Sequence, residues 1–599
     1  MELDWFRLEG VSFTILSGVE RDSVIREWEA LLSSSREGVV LARRRSEAYT
    51  YKGYSFPVSY VDFYLGVRSR GEGGPPPYFS ATKAEAPPRP RVRRLANPYT
   101  LELEGGSFAR VLVAHRYPSM LPEGFLYSVF PLVAEVALVF RRVPRSKALS
   151  LVESARRRKA LAESVEATYE SESLRELAER VLAGSDLLEF YLLVTATAPS
   201  LRDLSDKERE VRALLKGFGL EVEAPPIQRD LYYFRTCSFL ACLERAYSDV
   251  SSMGSLFFLV DEELIDDNGV FLGVSGTGSP VVLNPWTKPN LNFVILGVTG
   301  SGKSMTAKVF LKRLRELSRG IPYVGVDPES EYTRVSRLLG ATPVEISEGQ
   351  PLGLDPVKLL QLGYLEVGQV ADVLSELYAV PERLQGLLRK ELFTKGDAVA
   401  DVEELVSSIR DAELRRYLEG VTAPPDAYVY RGEPPTIAGS TIFGLKNVRS
   451  KRLKILISAL IATYAYNRLL TRSQKSVFFV DEAWLFMETP SIVSLFENIA
   501  RRGRKYGVLF MYISQRAEDL AKTSQGRAIL EQSATALILR QEPEGRDAVK
   551  QIYKLSDAEA DFLVNASTGT GILKAGRKRL TLNVLPTEEE LEAFSTTVR

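Results

Sequence analysis

The sequence predicts an α/β protein, and three observations carry that prediction. Asn292-Phe-Val-Ile-Leu-Gly297 is a buried-strand run that opens directly into the glycine-rich loop Gly297-Val-Thr-Gly-Ser-Gly-Lys303-Ser304. After the loop, Ala307, Phe310, Leu311, Leu314 and Leu317 recur at helical spacing, so strand, loop and helix follow in order. Further apolar runs, Tyr323-Val-Gly-Val-Asp327 and Ser476-Val-Phe-Phe-Val-Asp481-Glu482, end in carboxylates, while residues 99–250 alternate strand-like and helix-like stretches.

The 599 residues are enough for two to four domains, and 45% apolar with 26% charged residues is the profile of a globular chain. Lys+Arg and Asp+Glu are both 77, which argues against a surface that coats nucleic acid non-specifically but leaves room for a local basic groove. Cys237 and Cys242 are expected to be small buried side chains, since their spacing completes no metal or redox motif. The single His115 lies in an apolar run with no catalytic partner, and is read as filler. The acidic N-terminus has no signal-peptide core. The most apolar stretch, 125–140, is broken by Pro131 and Glu135 and is too short to span a bilayer, so it is expected to be a buried strand and helix start. No transmembrane segment is expected.

The first half divides by composition. Residues 1–68 read as a small α/β segment, 69–98 as a Pro/Gly/Arg-rich linker, and 99–255 as an α+β domain. Within the last, 108–114 and 189–196 are strand patterns, and 147–183 and 207–218 are helical, the second closed by Gly219. From 265 to 599 the chain changes character. A hairpin (Gly269-Val-Phe-Leu-Gly, Pro280-Val-Val-Leu-Asn) leads into the loop strand, and a helical insertion occupies about 358–432.

The loop pattern is that of a nucleoside-triphosphate site. Gly297, Val298, Thr299, Gly300, Ser301, Gly302, Lys303, Ser304 and Met305 are the candidate ATP-binding residues. The glycines let backbone N–H groups close on phosphate, the helix N-terminus adds its dipole, Lys303 reaches the β- and γ-phosphates and Ser304 ligates Mg2+. Asp481 fits a Mg2+ contact, made directly or through a bound water, and Glu482 the base that polarises water. Asp327 and Glu331 either lie beside the nucleotide or cap the following turn. Val508-Leu-Phe-Met-Tyr-Ile-Ser-Gln515 is a strand ending in an amide suited to sensing the γ-phosphate. The cluster Arg501-Arg-Gly-Arg504-Lys505 is either a solvated basic face or the source of an arginine finger, with Arg501 and Arg504 the candidates.

These pieces together resemble the HerA/FtsK superfamily, and more closely its conjugation or type IV secretion ATPases, the TraC/CedB kind. The resemblance rests on Asp-Asn-Gly-Val-Phe-Leu-Gly, the loop and its strand, Asp327-Pro-Glu-Ser-Glu331-Tyr, Gly353-Leu-Asp-Pro, Asp481-Glu482-Ala-Trp, Arg504-Lys-Tyr-Gly, Ser514-Gln515 and Gly569-Thr-Gly-Ile-Leu. It covers roughly 265–595. Ser330 stands where the family has glycine, and the linker has no counterpart. The resemblance implies a RecA-like P-loop ATPase domain. It further implies a homo-hexamer that binds ATP between subunits, with an arginine acting in trans, and that sits on the cytoplasmic side of the membrane against an integral membrane partner. DNA is the implied cargo. Scarce Asn and Gln point to a thermophilic, archaeal source. Two other readings stay open, a HerA-like translocase at DNA ends and an energiser of pilus or protein secretion. HerA's own N-terminal region is a small β-barrel, which 99–250 do not resemble.

Overall fold

Apolar side chains on alternate residues build the first half of the chain. In the strand Glu37–Tyr51, Val40 and Ala42 face one core while Val39 and Leu41 face another, and Phe108–Arg116 and Leu187–Ala198 split their side chains in the same way. The sheet is therefore buried on both faces. The computed structural model describes residues 3–11, 13, 18–68, 75–118, 121, 125–160, 165–234, 246–318, 320–437, 439–470, 475–486, 490–521 and 523–595. Cys237 and Cys242 lie outside the described residues.

Contacts divide the chain into two units, Met1–Glu263 with Ser275–Pro280, and Leu264–Val274 with Val281–Arg599. The first holds an eleven-stranded sheet whose described pairs are antiparallel. Leu3–Leu8, Tyr54–Arg68 and Glu37–Tyr51 lie in it beside Glu135–Arg142, Leu187–Ala198 and Phe108–Arg116. The expected separation of 1–68 from 99–255 gives way to this single sheet. The reason is that Glu37–Tyr51 pairs with Glu135–Arg142 and leaves no polar edge between the two stretches. The expected linker also contributes, because Thr82–Ala84 and Val92–Asn97 are its edge strands. Arg89 is nearly buried there, its Nε 3.1 Å from a Glu135 oxygen and its guanidinium 3.9 Å from the centre of the Phe234 ring. What reads as a solvated arginine is an anchor. The stretch 125–140 forms a short 3-10 turn, Phe125–Val129, and the buried strand Glu135–Arg142, with no helix start. His115 sits on the strand Phe108–Arg116.

The second unit is a twelve-stranded sheet. Seven of its strands run parallel in the order Thr535–Leu539, Asn292–Leu296, Val508–Ser514, Ser476–Val480, Tyr323–Asp327, Thr441–Asn447, Thr342–Ser347. Their near-continuous burial explains the apolar runs in the sequence. Thr570–Ala575 and Lys578–Val584 extend the sheet antiparallel. The helical insertion, from Pro356–Gln361 to Ala427–Tyr430, leaves between Thr342–Ser347 and Thr441–Asn447 and shares their core. Among the described residues no helix is long and apolar enough to cross a membrane.

Candidate active site

In a parallel sheet the carboxyl ends of all strands lie on one edge, and ligands bind there where neighbouring connections diverge. Register puts Leu296 opposite Ser514 and Ile538, and Val480 opposite Tyr512 and Val326. The residues that follow these strands, Gly297, Gln515, Arg540, Asp481 and Pro328, therefore share an edge.

The loop is closed by its own backbone and by its neighbours. The Gly297 N–H donates to Ser514 O at 3.3 Å and the Val298 N–H to Arg540 O at 3.0 Å. Gly300 and Gly302 have φ of 75° and 99°, in the left-handed region that favours glycine. A Cβ on Gly302 would also lie 3.1 Å from the Gly569 nitrogen, whose N–H donates to Ser301 O at 2.9 Å. The Thr568 hydroxyl donates to Gly300 O at 3.0 Å. The turn around Thr568 thus seats the loop from the far side. The helix Lys303–Leu317 starts directly after Gly302. Lys303 folds back so that Nζ donates to Val298 O at 3.2 Å, and burial pushes its pKa down against the pull of Glu482, Asp481 and Glu331. Ser301 Oγ is buried with no hydrogen-bond partner, and Ser304 is half-buried at the helix start. Met305 packs against the apolar core behind the loop, away from the polar edge.

Carboxylates crowd the next strands. Asp481 is buried, and burial, then Glu482, Asp327 and Glu331, push its pKa well above the usual carboxylate range. Glu482 adopts φ 47°. Its Oε1 accepts from Gln515 Nε2 at 2.9 Å and its Oε2 from Trp484 Nε1 at 2.5 Å, while Gln515 Oε1 accepts from the Thr299 hydroxyl at 3.2 Å. Asp327 accepts three backbone N–H groups, from Glu331 at 3.0 Å, Tyr332 at 2.8 Å and Thr333 at 3.0 Å. Of the two readings of Asp327 the turn cap is the one seen, and burial still lifts its pKa to about 6. Ser330, in the position expected for glycine, takes φ 55° there. Glu331 lies 3.5 Å from the Nζ of Lys308, a lysine buried within the helix and facing the Tyr332 ring. Among the described residues no three His, Cys, Asp or Glu side chains converge to hold a metal by themselves. A hydroxyl from Ser304 and a carboxylate from Asp481 do fit Mg2+, which takes few protein oxygens and leaves positions for phosphate and water.

Arg501 and Arg504 are not brought to this edge. They end the helix Pro490–Tyr506, and Arg504 donates to Pro289 O at 2.6 Å, before the loop strand begins. Arg501 pairs with Glu497 at 2.7 Å and is mostly exposed. Five residues of strand, roughly 16 Å, separate that end from the loop. The sequence reading missed Lys308, Arg540 and Thr568, and gave no role to Trp484 and Gly569, which stand in its motifs. Arg540 follows an apolar strand at its carboxyl end, the same signal that marked Gln515, and its guanidinium lies 3.8 Å from where a Gly300 Cβ would point.

Residues 270–457 match the family described as "Helicase HerA, central domain". Over this segment the chain is similar to that family. The resemblance read from the motifs is borne out over the loop, its strands and the helical insertion, while Asp481, Glu482 and Gln515 lie beyond the matched segment. No curated protein matches the chain. VirB4 of Thermoanaerobacter pseudethanolicus is similar at 24% identity, over 55% of this chain and 100% of that one, with a TM-score of 0.48. The plasmid coupling protein TrwB, in complex with ADP and Mg2+, is similar at 15% identity, over 54% and 90%, with a TM-score of 0.37. The genome-packaging NTPase B204 of Sulfolobus turreted icosahedral virus 2 is similar at 11% identity, over 51% and 99%, with a TM-score of 0.26.

Proposed function

We propose that the chain is a Mg2+-dependent ATPase of a homo-hexameric ring that drives DNA transfer across a membrane through an integral membrane partner. The observation that carries the ATPase reading is the convergence of the loop, Asp481, Glu482 and Gln515 on one sheet edge from three separate stretches of sequence.

In this reading the loop N–H groups and Lys303 hold the phosphates. Gln515 bridges the loop and Glu482. Glu482 accepts a proton from water as the water oxygen bonds to the γ-phosphorus, and the bond from that phosphorus to the β–γ bridging oxygen breaks, giving ADP and phosphate. Ser304 and Asp481 would hold Mg2+, which when bound neutralises phosphate charge. Arg501 or Arg504 acts on the nucleotide of the neighbouring subunit, a role supported by its distance from its own loop. The ring works on the cytoplasmic face of the membrane, held there by its partner.

The family match to a helicase central domain favours a second reading, a HerA-like translocase acting on DNA ends. Against it stands the first unit, an open sheet rather than a small barrel. Copurification from membranes, with identification of bound protein and DNA, separates the two, since a soluble complex with a nuclease supports the second. The ATPase reading is tested by Lys303→Ala and Glu482→Gln. Both should lose turnover, and Glu482→Gln should still bind ATP. Normal hydrolysis in either removes the mechanism.

A further inference from the structure

Glu482 is held in an uncommon way for a residue that must meet water. Its φ of 47° is left-handed, a conformation that a side-chain-bearing residue keeps only where its surroundings dictate it. The next residues supply that constraint. Ala483–Phe486 form a single 3-10 turn, closed by the Leu485 N–H donating to Glu482 O at 3.0 Å. The turn is pinned by buried Ala483, whose carbonyl accepts from the Tyr512 hydroxyl at 3.3 Å, and by Phe486 packed edge-on against Phe496. Trp484 therefore projects from a fixed base. Its indole N–H, which can only donate, lies 2.5 Å from Glu482 Oε2. The other oxygen is held by Gln515, and Gln515 also accepts from Thr299 in the exposed part of the phosphate loop.

The two donors differ in kind. Among the described residues, Trp484 hydrogen-bonds to the carboxylate alone. Gln515 is shared between the carboxylate and the loop, so phosphate arriving at Thr299 competes for the amide that holds Oε1. We propose that Trp484 is a positioning residue of the catalytic base, fixing Oε2 so that Oε1 is the oxygen Gln515 releases toward water when the loop takes nucleotide. A hydrogen bond to an ionised partner is short and directional, which gives one indole N–H enough purchase to orient the carboxylate. The inference rests on Glu482 being the base.

The test is Trp484→Phe, which keeps the ring and removes the N–H. The expected result is a fall in kcat of about tenfold to a hundredfold, with KM for ATP and binding of a non-hydrolysable analogue changed less than about threefold and the melting temperature held. An unchanged kcat overturns the proposal, as does a rise in KM that accounts for the whole loss. Should the variant fold poorly, 5-fluorotryptophan labelling of the otherwise unaltered chain decides. The four tryptophans give four resonances, and one of them should move on Glu482→Gln and on adding the analogue. No movement on either overturns it. Lys303→Ala, assayed alongside, keeps the outcomes apart: hydrolysis by that variant sinks the ATPase reading itself, whereas a dead Lys303→Ala with a fully active Trp484→Phe sinks only this inference.

Discussion

One helix, Lys303–Leu317, carries two buried charge clusters built on opposite principles. Toward its end, Arg313 is saturated. Its Nε and Nη2 donate to Glu590 at 3.1 and 2.7 Å, and Nη1 and Nη2 donate to the carbonyls of Phe271 and Leu585 at 2.7 and 2.8 Å. Lys312 stands 3.4 Å from the same carboxylate, which also accepts the Thr587 N–H at 2.9 Å. Burial works to raise the pKa of Glu590, yet Arg313 and these partners hold it below its ordinary value. Toward the start of the helix, Lys303 and Lys308 face Asp327, Glu331, Asp481 and Glu482, and Asp327 and Asp481 are pushed up instead. The first cluster is complete in the folded chain. The second gathers four carboxylates around two lysines, the kind of crowding that the proposed Mg2+ would relieve and a closed structural clasp lacks.

Breaking the clasp should have the largest effect on stability. Glu590→Ala strands the buried Arg313 and should cost about 3–5 kcal/mol, measured by denaturant unfolding; a loss under 1 kcal/mol would show that the cluster is not closed as described. The pH dependence of the second cluster comes next. The carboxyl of Asp327 binds its proton more tightly folded than unfolded, so its contribution to stability is fully present below about pH 4 and is lost as pH rises through about 6. The size is on the order of 3 kcal/mol. Melting curves from pH 4 to 7 should carry this slope, and Asp327→Asn should flatten it whatever it does to absolute stability.

Relieving the crowding should help the nucleotide-free protein. Asp481→Asn replaces a carboxyl group whose ionisation burial and its acidic neighbours oppose, so at pH 7 stability should rise by about 0.5–2 kcal/mol. Mg2+ with ATP should raise the melting temperature of the parent and leave that of this variant unchanged. A variant less stable than the parent would contradict the crowding. The smallest stability effect is expected at the other end of the strands. Arg504→Ala should change stability by less than about 0.5 kcal/mol, yet abolish turnover in the proposed ring. Mixed with Lys303→Ala protein it should recover part of the activity, and no recovery would argue against action in trans.

Much of this site was legible before any folding was considered, and the reasons are local. The loop's glycines, lysine and serine are contiguous, and the strand before it and the helix after it announce themselves by burial period. Asp481, Glu482 and Gln515 stand at the ends of apolar runs, so their edge was predictable even though their neighbours were not. Asp327 was ambiguous because a carboxylate at a strand end looks the same whether it meets ligand or backbone N–H groups, and the folded chain gives it three N–H donors as a cap. The proline- and arginine-rich stretch misled because its composition says solvated loop, whereas Arg89 finds a buried carboxylate far along the chain.

What the sequence by itself determined was each element's type and the chemistry of the residues at its end, because hydrogen-bond period and side-chain class are properties of neighbours along the chain. What only the tertiary structure decided was which of those ends meet. The loop strand lies between Val508–Ser514 and Thr535–Leu539, an order that brings Gln515 and Arg540 to either side of the loop and leaves Arg501 and Arg504 at the far edge. Strand order is a long-range pairing, set by how whole faces bury against one another, and no local pattern encodes it.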